Sequence, residues 1–168
     1  LAAESLVKAN RIEQRGLVFA RTGWSAQLSD GDQRLADQVA AAFKAAAWAP
    51  PAVEEVAARL KQPARMVEKG GRRLADRAIL VQLDQRMFIH QDALEAARKL
   101  ALGLFIKRPI FSTMEFRDAL GVSRKYAVPL LDYLDKIRFT VRSGHDRSPG
   151  VEARKFLPGL ASAKEKTA

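Results

Sequence analysis

Two short runs of this chain carry the side chains most able to do chemistry. In the first, Ser123 precedes Arg124, Lys125 and Tyr126; in the second, Arg142-Ser143-Gly144-His145-Asp146-Arg147 forms a polar, cationic turn. Ser123 is a helix-capping residue type, so Arg124 to Tyr126 fall in a first helical turn. Backbone N–H groups are unpaired there and the macrodipole is positive. An anion at that point meets donors from the backbone and the side chains together, and a phosphate is the simplest one. The second run offers two Arg forks suited to phosphate or a guanine edge, and a glycine that lets backbone approach a ligand. His145 beside Asp146 reads as a turn residue rather than a catalyst.

Other chemistries lack their parts. The chain has no Cys and only two His, His90 and His145, and it contains no G-x-x-x-x-G-K-[ST] or G-x-G-x-x-G run. A thiol nucleophile, a clustered His metal site and a Gly-rich nucleotide loop are therefore not expected, nor is any cofactor or catalysis in this stretch. Paired carboxylates such as Glu54-Glu55 read as a solvated helix face. The balance of 29 Lys and Arg against 19 Asp and Glu gives +10 over 168 residues, which makes nucleic acid the first partner to consider. The longest apolar runs, such as Leu100–Ile106, are far short of the ~20 residues of a membrane span, and no cationic segment leads into an apolar one as in a signal peptide. No membrane partner is expected. Position 1 is Leu rather than Met, as in a piece of a longer chain.

The elements that must position these runs follow from the spacing of apolar residues. Residues 1–31 read as the tail of a preceding domain and a linker: a helix end at Leu6-Val7 and one or two strands around Ile12 and Leu17-Val18-Phe19, with Trp24 and Leu28 beyond and strand partners expected upstream. From residue 32, Leu35, Val39, Ala42 and Phe43 space a helix to Trp48. Pro50-Pro51 break it and open a second helix with Val53, Val56, Ala57 and Leu60; Pro63 starts a third with Met66, Val67, Leu74 and Ala78. Ile79–Leu83, a turn at Asp84–Arg86 and Met87–Ile89 then read as a hairpin. Gly70-Gly71 weakens the third helix, at about 1 kcal/mol per glycine relative to alanine.

The same order returns after residue 91. Asp92-Ala93-Leu94-Glu95 has the pattern of a capping box and opens a helix through Ile106; Ile110-Phe111 reads as a short strand. A second box, Ser112-Thr113-Met114-Glu115, opens a helix closed by Gly121. The helix capped by Ser123 carries Ala127, Leu130, Leu131, Leu134 and Ile137 on one face, with Tyr133 inward as well, and Pro129 inside it predicts a kink. Phe139–Arg142, a turn, and a return segment around Val151–Phe156 complete another hairpin. Two sets of three helices plus a hairpin predict a mainly α fold with small β-hairpins (α+β), in tandem winged-helix, or helix-turn-helix, domains at 32–91 and 92–157. Residues 158–168 read as a disordered tail.

Charge distinguishes the two sets. Residues 92–157 hold 13 basic and 8 acidic residues, against 10 and 7 in residues 32–91. The second set is thus the expected nucleic-acid binder and the first a spacer arm.

Over Phe116-Arg117-Asp118-Ala119-Leu120-Gly121-Val122-Ser123-Arg124-Lys125-Tyr126-Ala127-Val128-Pro129-Leu130-Leu131-Asp132-Tyr133-Leu134-Asp135-Lys136-Ile137, continued by Phe139-Thr140-x-Arg142-x-Gly144-x-x-Arg147, the chain resembles the last winged-helix domain of the bacterial selenocysteine-specific elongation factor family, SelB. The wing has His145 where that family often has Asp or Asn, and Arg138 follows Ile137 where it has Gly. The resemblance implies an RNA-binding C-terminal region, free of cofactor, in a cytoplasmic translation factor whose GTPase domain lies outside this stretch. Its partner would be the mRNA hairpin (SECIS) that directs selenocysteine incorporation at UGA, with the ribosome and selenocysteyl-tRNA met through the full-length protein, which would be a monomer. Position by position, it puts Arg117, Arg124, Lys125, Arg142, Arg147 and the Gly144 backbone at the RNA surface; Tyr126 and His145 join them from the residue reading. The competing readings are a tandem winged-helix DNA-binding transcriptional regulator and a protein-interaction module.

Overall fold

The computed structural model describes residues 12–15, 18–21 and 30–157; the expectations for Leu6-Val7, Trp24, Leu28 and the tail fall outside them. Strands β1 (Ile12–Arg15) and β2 (Val18–Arg21) pair antiparallel with each other, Ile12 opposite Arg21 and Arg15 opposite Val18. Among the described residues, each strand is the other's partner.

Helix α1 (Asp30–Ala45) buries Ala36, Val39 and Phe43, the residues its three- and four-residue spacing puts on one side. It stops before Trp48, in a turn with Ala47 at φ 47°, and Pro50-Pro51 lie in the connection. Helix α2 (Val53–Leu60) begins only after Ala52 and ends on Lys61 in the left-handed region. Helix α3 (Ala64–Asp76) follows Pro63 and buries Val67, Gly71 and Leu74, while Ala78, expected on its apolar side, lies beyond its end, exposed and at φ 56°. Strands β3 (Leu80–Gln82) and β4 (Phe88–His90) pair with Leu80 opposite His90. A β-carbon built on Gly71 lies 3.2 Å from the buried Phe88 ring, so that glycine lets α3 pack directly on β4. The helix weakness expected from Gly70-Gly71 thus has a packing cause at one of the two positions.

Strand β4 serves two cores. Phe88 belongs to a cluster with Val39, Phe43, Val56 and Leu74, while Ile89, on the opposite face, belongs to a second one built on Ala97, Phe105, Phe111, Phe116, Leu131 and Phe139. Helix α4 (Gln91–Lys107) starts immediately after β4. Its cap is His90, whose Nδ1 accepts from the Asp92 N–H at 3.1 Å, instead of the box expected from Asp92. The strand holds His90 in extended backbone, and that brings the helix start forward. Trp48 Nε1 donates to the Ala93 carbonyl at 2.9 Å and Lys44 Nζ stands 3.0 Å from Asp92 Oδ2, tying the end of α1 to the start of α4. The Lys44 ammonium lowers the Asp92 carboxyl below its usual range.

Strand β5 (Phe111–Ser112) leads into α5 (Thr113–Leu120), opened by the capping box as expected: Ser112 Oγ accepts from the Glu115 N–H, and Glu115 accepts from the Ser112 N–H. Bonds from the Ser112 backbone and hydroxyl, with Arg108 nearby, depress the Glu115 carboxyl. Gly121 closes α5 at φ 66°. Helix α6 (Arg124–Lys136) follows Ser123 and runs unbroken through Pro129, burying Ala127, Leu130, Leu131 and Leu134. Ile137 and Tyr133 are partly buried against the same core. The rings of Phe105, Phe111 and Phe116 follow one another, the first pair tilted at 4.6 Å and the second stacked at 5.7 Å between centroids, and anchor α4, β5 and α5 to one another.

The second hairpin closes earlier than its apolar pattern suggests. Strands β6 (Thr140–Ser143) and β7 (Asp146–Pro149) are joined across Gly144-His145, and β7 lies between β6 and β5 in a three-stranded sheet. The Val151 segment expected as the return strand is instead the short helix α7 (Val151–Arg154). Pro149 and Gly150 end the strand, and a β-carbon on Gly150 would lie 2.1 Å from the Arg138 carbonyl oxygen, so the chain turns there only as glycine. The order of helices and strands from α4 to β7 is that of a winged helix, and α1 to β4 also run as three helices followed by a hairpin.

Candidate nucleic-acid interface

Two helix starts converge beside the wing tip. The first turn of α5 brings Ser112, Thr113 and Met114; Arg117 stands one turn on; Arg124 is the first residue of α6; His145 is the tip of the wing. Together they line a cleft of about 180 Å³. That is smaller than the roughly 300–1,000 Å³ of a site for a drug-sized ligand. Arg124 is exposed, and the Ser123 side chain makes no capping bond, leaving the positive helix end to an incoming anion. Arg117 is partly exposed and held by Asp118, with its Nε donating at 2.7 Å.

The remaining expected residues divide. Lys125 is exposed and places its ammonium 5.3 Å from the ring centroid of half-buried Tyr126, a cation–π pair on the same helical turn. Arg142 is exposed on β6, its Nε donating to the Gly144 carbonyl at 3.1 Å and its NH1 3.8 Å from Asp132. Gly144 has φ 62° and nothing within 4 Å of a built β-carbon, so its glycine answers to the turn's left-handed backbone rather than to close approach by a neighbour.

Arg147 corrects the expectation. It is 2% exposed, not at the surface. Its NH1 donates to Thr113 Oγ1 at 2.7 Å, and its NH2 lies 3.3 Å from Asp135 and 3.5 Å from Asp132. As the central strand of its sheet, β7 points this side chain under the wing between α5 and α6, where the two carboxylates neutralise it. It cannot offer its fork to a ligand from there.

Met114 was missed by reasoning from charge. It is 61% exposed in the cleft, in a position where a capped helix has no need of an apolar side chain. An exposed Met directly after the Ser-Thr of a capping box was the available signal, since a flexible thioether suits an aromatic face. Ser112 and Thr113, read only as capping residues, also line the cleft.

On α3, Arg65, Lys69, Arg72 and Arg73 line a shallow groove with Glu68 and Asp76, and Arg72 is held by Glu68 at 2.6 Å. Carboxylates interrupt this row, whereas around the cleft the cations stand with a Met and a His. Among the described residues, no group of three or more His, Cys, Asp or Glu side chains could hold a metal, and no helix is long and apolar enough to cross a membrane.

Comparison with known proteins places the segment holding this cleft. Residues 103–148 match the family described as "Elongation factor SelB, winged helix". The chain is similar to a selenocysteine-specific elongation factor of Desulfomicrobium baculatum, 23% identical over 144 residues, which cover 86% of this chain and 23% of the relative. A selenocysteine-specific elongation factor of Escherichia coli (strain K12) is 56% identical over 32 residues, 19% of this chain and 5% of that protein. The chain thus spans about a quarter or less of the length of these relatives. Among solved structures, it superposes with a TM-score of 0.66 and 24% identity on the mRNA-binding domain of elongation factor SelB from E. coli, solved in complex with SECIS RNA, over 73% of this chain and 99% of that one. A bacterial selenocysteine-specific elongation factor EF-Sec gives a TM-score of 0.52 at 20% identity, over 89% and 23% of the two chains. These likenesses establish the fold.

Proposed function

We propose, from the match of residues 103–148 to the elongation factor SelB winged-helix family, that this chain binds an mRNA hairpin, the SECIS type, as the RNA-reading part of a cytoplasmic selenocysteine-specific translation factor. The observation that carries the reading is the cleft where Arg117, Arg124, His145 and Met114 meet. A-form RNA hides its base edges in a deep, narrow groove, so a protein reads sequence from unstacked bases and takes the backbone through Arg and Lys. Here a base leaving the stack enters the cleft with the Met114 thioether against its face. Arg124 and the α6 N-terminus take the adjacent phosphate, while Arg142 and the Gly144 backbone on the wing take the other strand. Lys125 and Tyr126 extend the phosphate contacts along the first turn. A single chain binds one hairpin without metal or cofactor, and GTP hydrolysis, tRNA and ribosome contacts belong to the whole protein.

Fluorescence anisotropy of the full chain with a short RNA hairpin and with duplex DNA of equal length, over a salt series, tests this. The hairpin is expected to bind tighter. A preference for the duplex would favour the DNA-binding regulator and overturn the proposal, as would equally weak binding to both. Arg124→Ala and Arg142→Ala are each expected to cost about 1–3 kcal/mol and to lower discrimination against hairpins with altered loops. Lys155, exposed and paired with Glu152 at 2.7 Å, serves as the control. Lys155→Ala is expected to weaken all RNAs alike and lower the salt slope by about one unit or less.

A further inference from the structure

We propose that Arg147 is a positioning residue for the cleft, acting through the Thr113 hydroxyl on the His145 end of the wing; the inference rests on the RNA reading above. The Arg147 guanidinium donates to Thr113 Oγ1 at 2.7 Å, and Thr113 Oγ1 donates to the His145 carbonyl at 3.2 Å. The Thr113 backbone N–H donates to the same carbonyl at 3.1 Å. A hydroxyl has one proton, and with Arg147 occupying a lone pair that proton is committed to His145. Thr113 and His145 both line the cleft, one on α5 and the other at the wing tip. The relay therefore fixes the wing tip against the start of α5 where the two meet.

The other end of the guanidinium fixes where the relay starts. Its NH2 lies between Asp132 and Asp135 on α6, and Asp135 also accepts a hydrogen bond from Thr140 Oγ1 at the base of β6. One buried cation thus ties α5, α6 and both strands of the wing, while its Nε finds no partner. A buried ion pair is seldom more stabilising than an apolar side chain of the same volume, and an orphan N–H adds to its cost. Stability is a poor reason for an arginine here. Geometry is a better one, because directional bonds hold the wing tip at a set distance from α5 and apolar packing does not.

Thr113→Val tests the relay, since it keeps the shape and removes the hydroxyl; Thr113→Ser restores the hydroxyl without the methyl. Affinities of this 168-residue chain are measured for an RNA hairpin and for blunt duplex RNA of the same stem at several salt concentrations, alongside amide hydrogen exchange of the free protein. Thr113→Val is expected to keep the duplex affinity and the salt slope, and to lose about tenfold in preference for the hairpin, the worth of one net hydrogen bond. Thr113→Ser is expected to return to within about twofold of the parent. Exchange at His145 and Asp146 is expected to quicken in Thr113→Val alone. Undiminished preference in Thr113→Val overturns the proposal; so does a Thr113→Ser variant as poor as Thr113→Val, or equal loss on both RNAs. If the parent chain itself prefers no hairpin, the RNA reading fails. Exchange then decides the relay separately: unchanged protection in Thr113→Val removes it, and faster exchange sustains it.

Discussion

Asp135→Asn measures how firmly a charge is held beneath the wing. Arg147 has 2% of its side chain exposed, and it faces Asp135 Oδ2 at 3.3 Å and Asp132 Oδ1 at 3.5 Å; the two carboxylates themselves are 20% and 52% exposed. At an effective dielectric of about 20, suited to the sheltered pair, the attraction is on the order of 5 kcal/mol, and with water-like screening at Asp132 it is about 1 kcal/mol. Much of the larger figure offsets the cost of bringing a guanidinium out of water. What registers on removing one partner is the charge left unpaired, about 3–5 kcal/mol. Asparagine still presents an acceptor to Thr140, so the low end applies and Asp135→Asn is expected to lose about 3 kcal/mol. Asp132→Asn is expected to lose less than about 1 kcal/mol, because solvent already screens it. Urea unfolding followed by circular dichroism near neutral pH reads both from the midpoints, provided the slopes stay equal. Combining Asp135→Asn with Arg147→Met is expected to cost less than the sum of the single changes, since no unpaired buried charge remains. Equal losses for the two Asp→Asn variants, or less than about 1 kcal/mol for Asp135→Asn, would refute the account of the wing as charge-tethered.

Three further outcomes follow from local geometry. Gly70→Ala meets only Val39 Cγ2 at 3.9 Å and is expected to stabilise by about 0.5–1 kcal/mol through helix propensity, whereas Gly71→Ala presses on the buried Phe88 ring at 3.2 Å and is expected to lose about 1 kcal/mol net; urea midpoints separate them. Gly150→Ala drives a β-carbon to 2.1 Å from the Arg138 carbonyl oxygen, which is backbone and cannot swing aside, and is expected to lose about 3 kcal/mol or to prevent folding, as read by circular dichroism and thermal melting. The Glu115 carboxyl is held below its ordinary value of 4.5, so its stabilising contribution is complete above that pH and disappears as pH falls through the lowered folded value. Glu115→Gln is expected to flatten that part of the acid unfolding curve while leaving the neutral-pH side alike in shape.

Some signals that close within one turn of the chain were decided by the residues alone. Ser112 and Glu115 make the capping box they spell, and Gly121 takes the left-handed position after α5, because both devices are closed by backbone within a few residues. Apolar spacing placed α1, α3 and α6 and the inward faces of each for the same reason: a helix of period 3.6 has only one side to bury. The cationic first turn of α6 was legible as well, since an exposed N-terminus depends on its own sequence. Tertiary structure decided the rest. Which face of β7 carries Arg147 inward depends on a register set by a two-residue turn, and its carboxylate partners come from a different element, so a run that looked like surface charge became a buried tie. His90 outcompeted Asp92 as a helix cap because strand pairing with Leu80 had already fixed its backbone. Gly71 acquired its purpose only when Phe88 arrived from the hairpin. The cleft itself belongs to no single segment: Met114, Arg124 and His145 come from two helices and a turn, and only the packing of α5 and α6 under the wing brings them to one place.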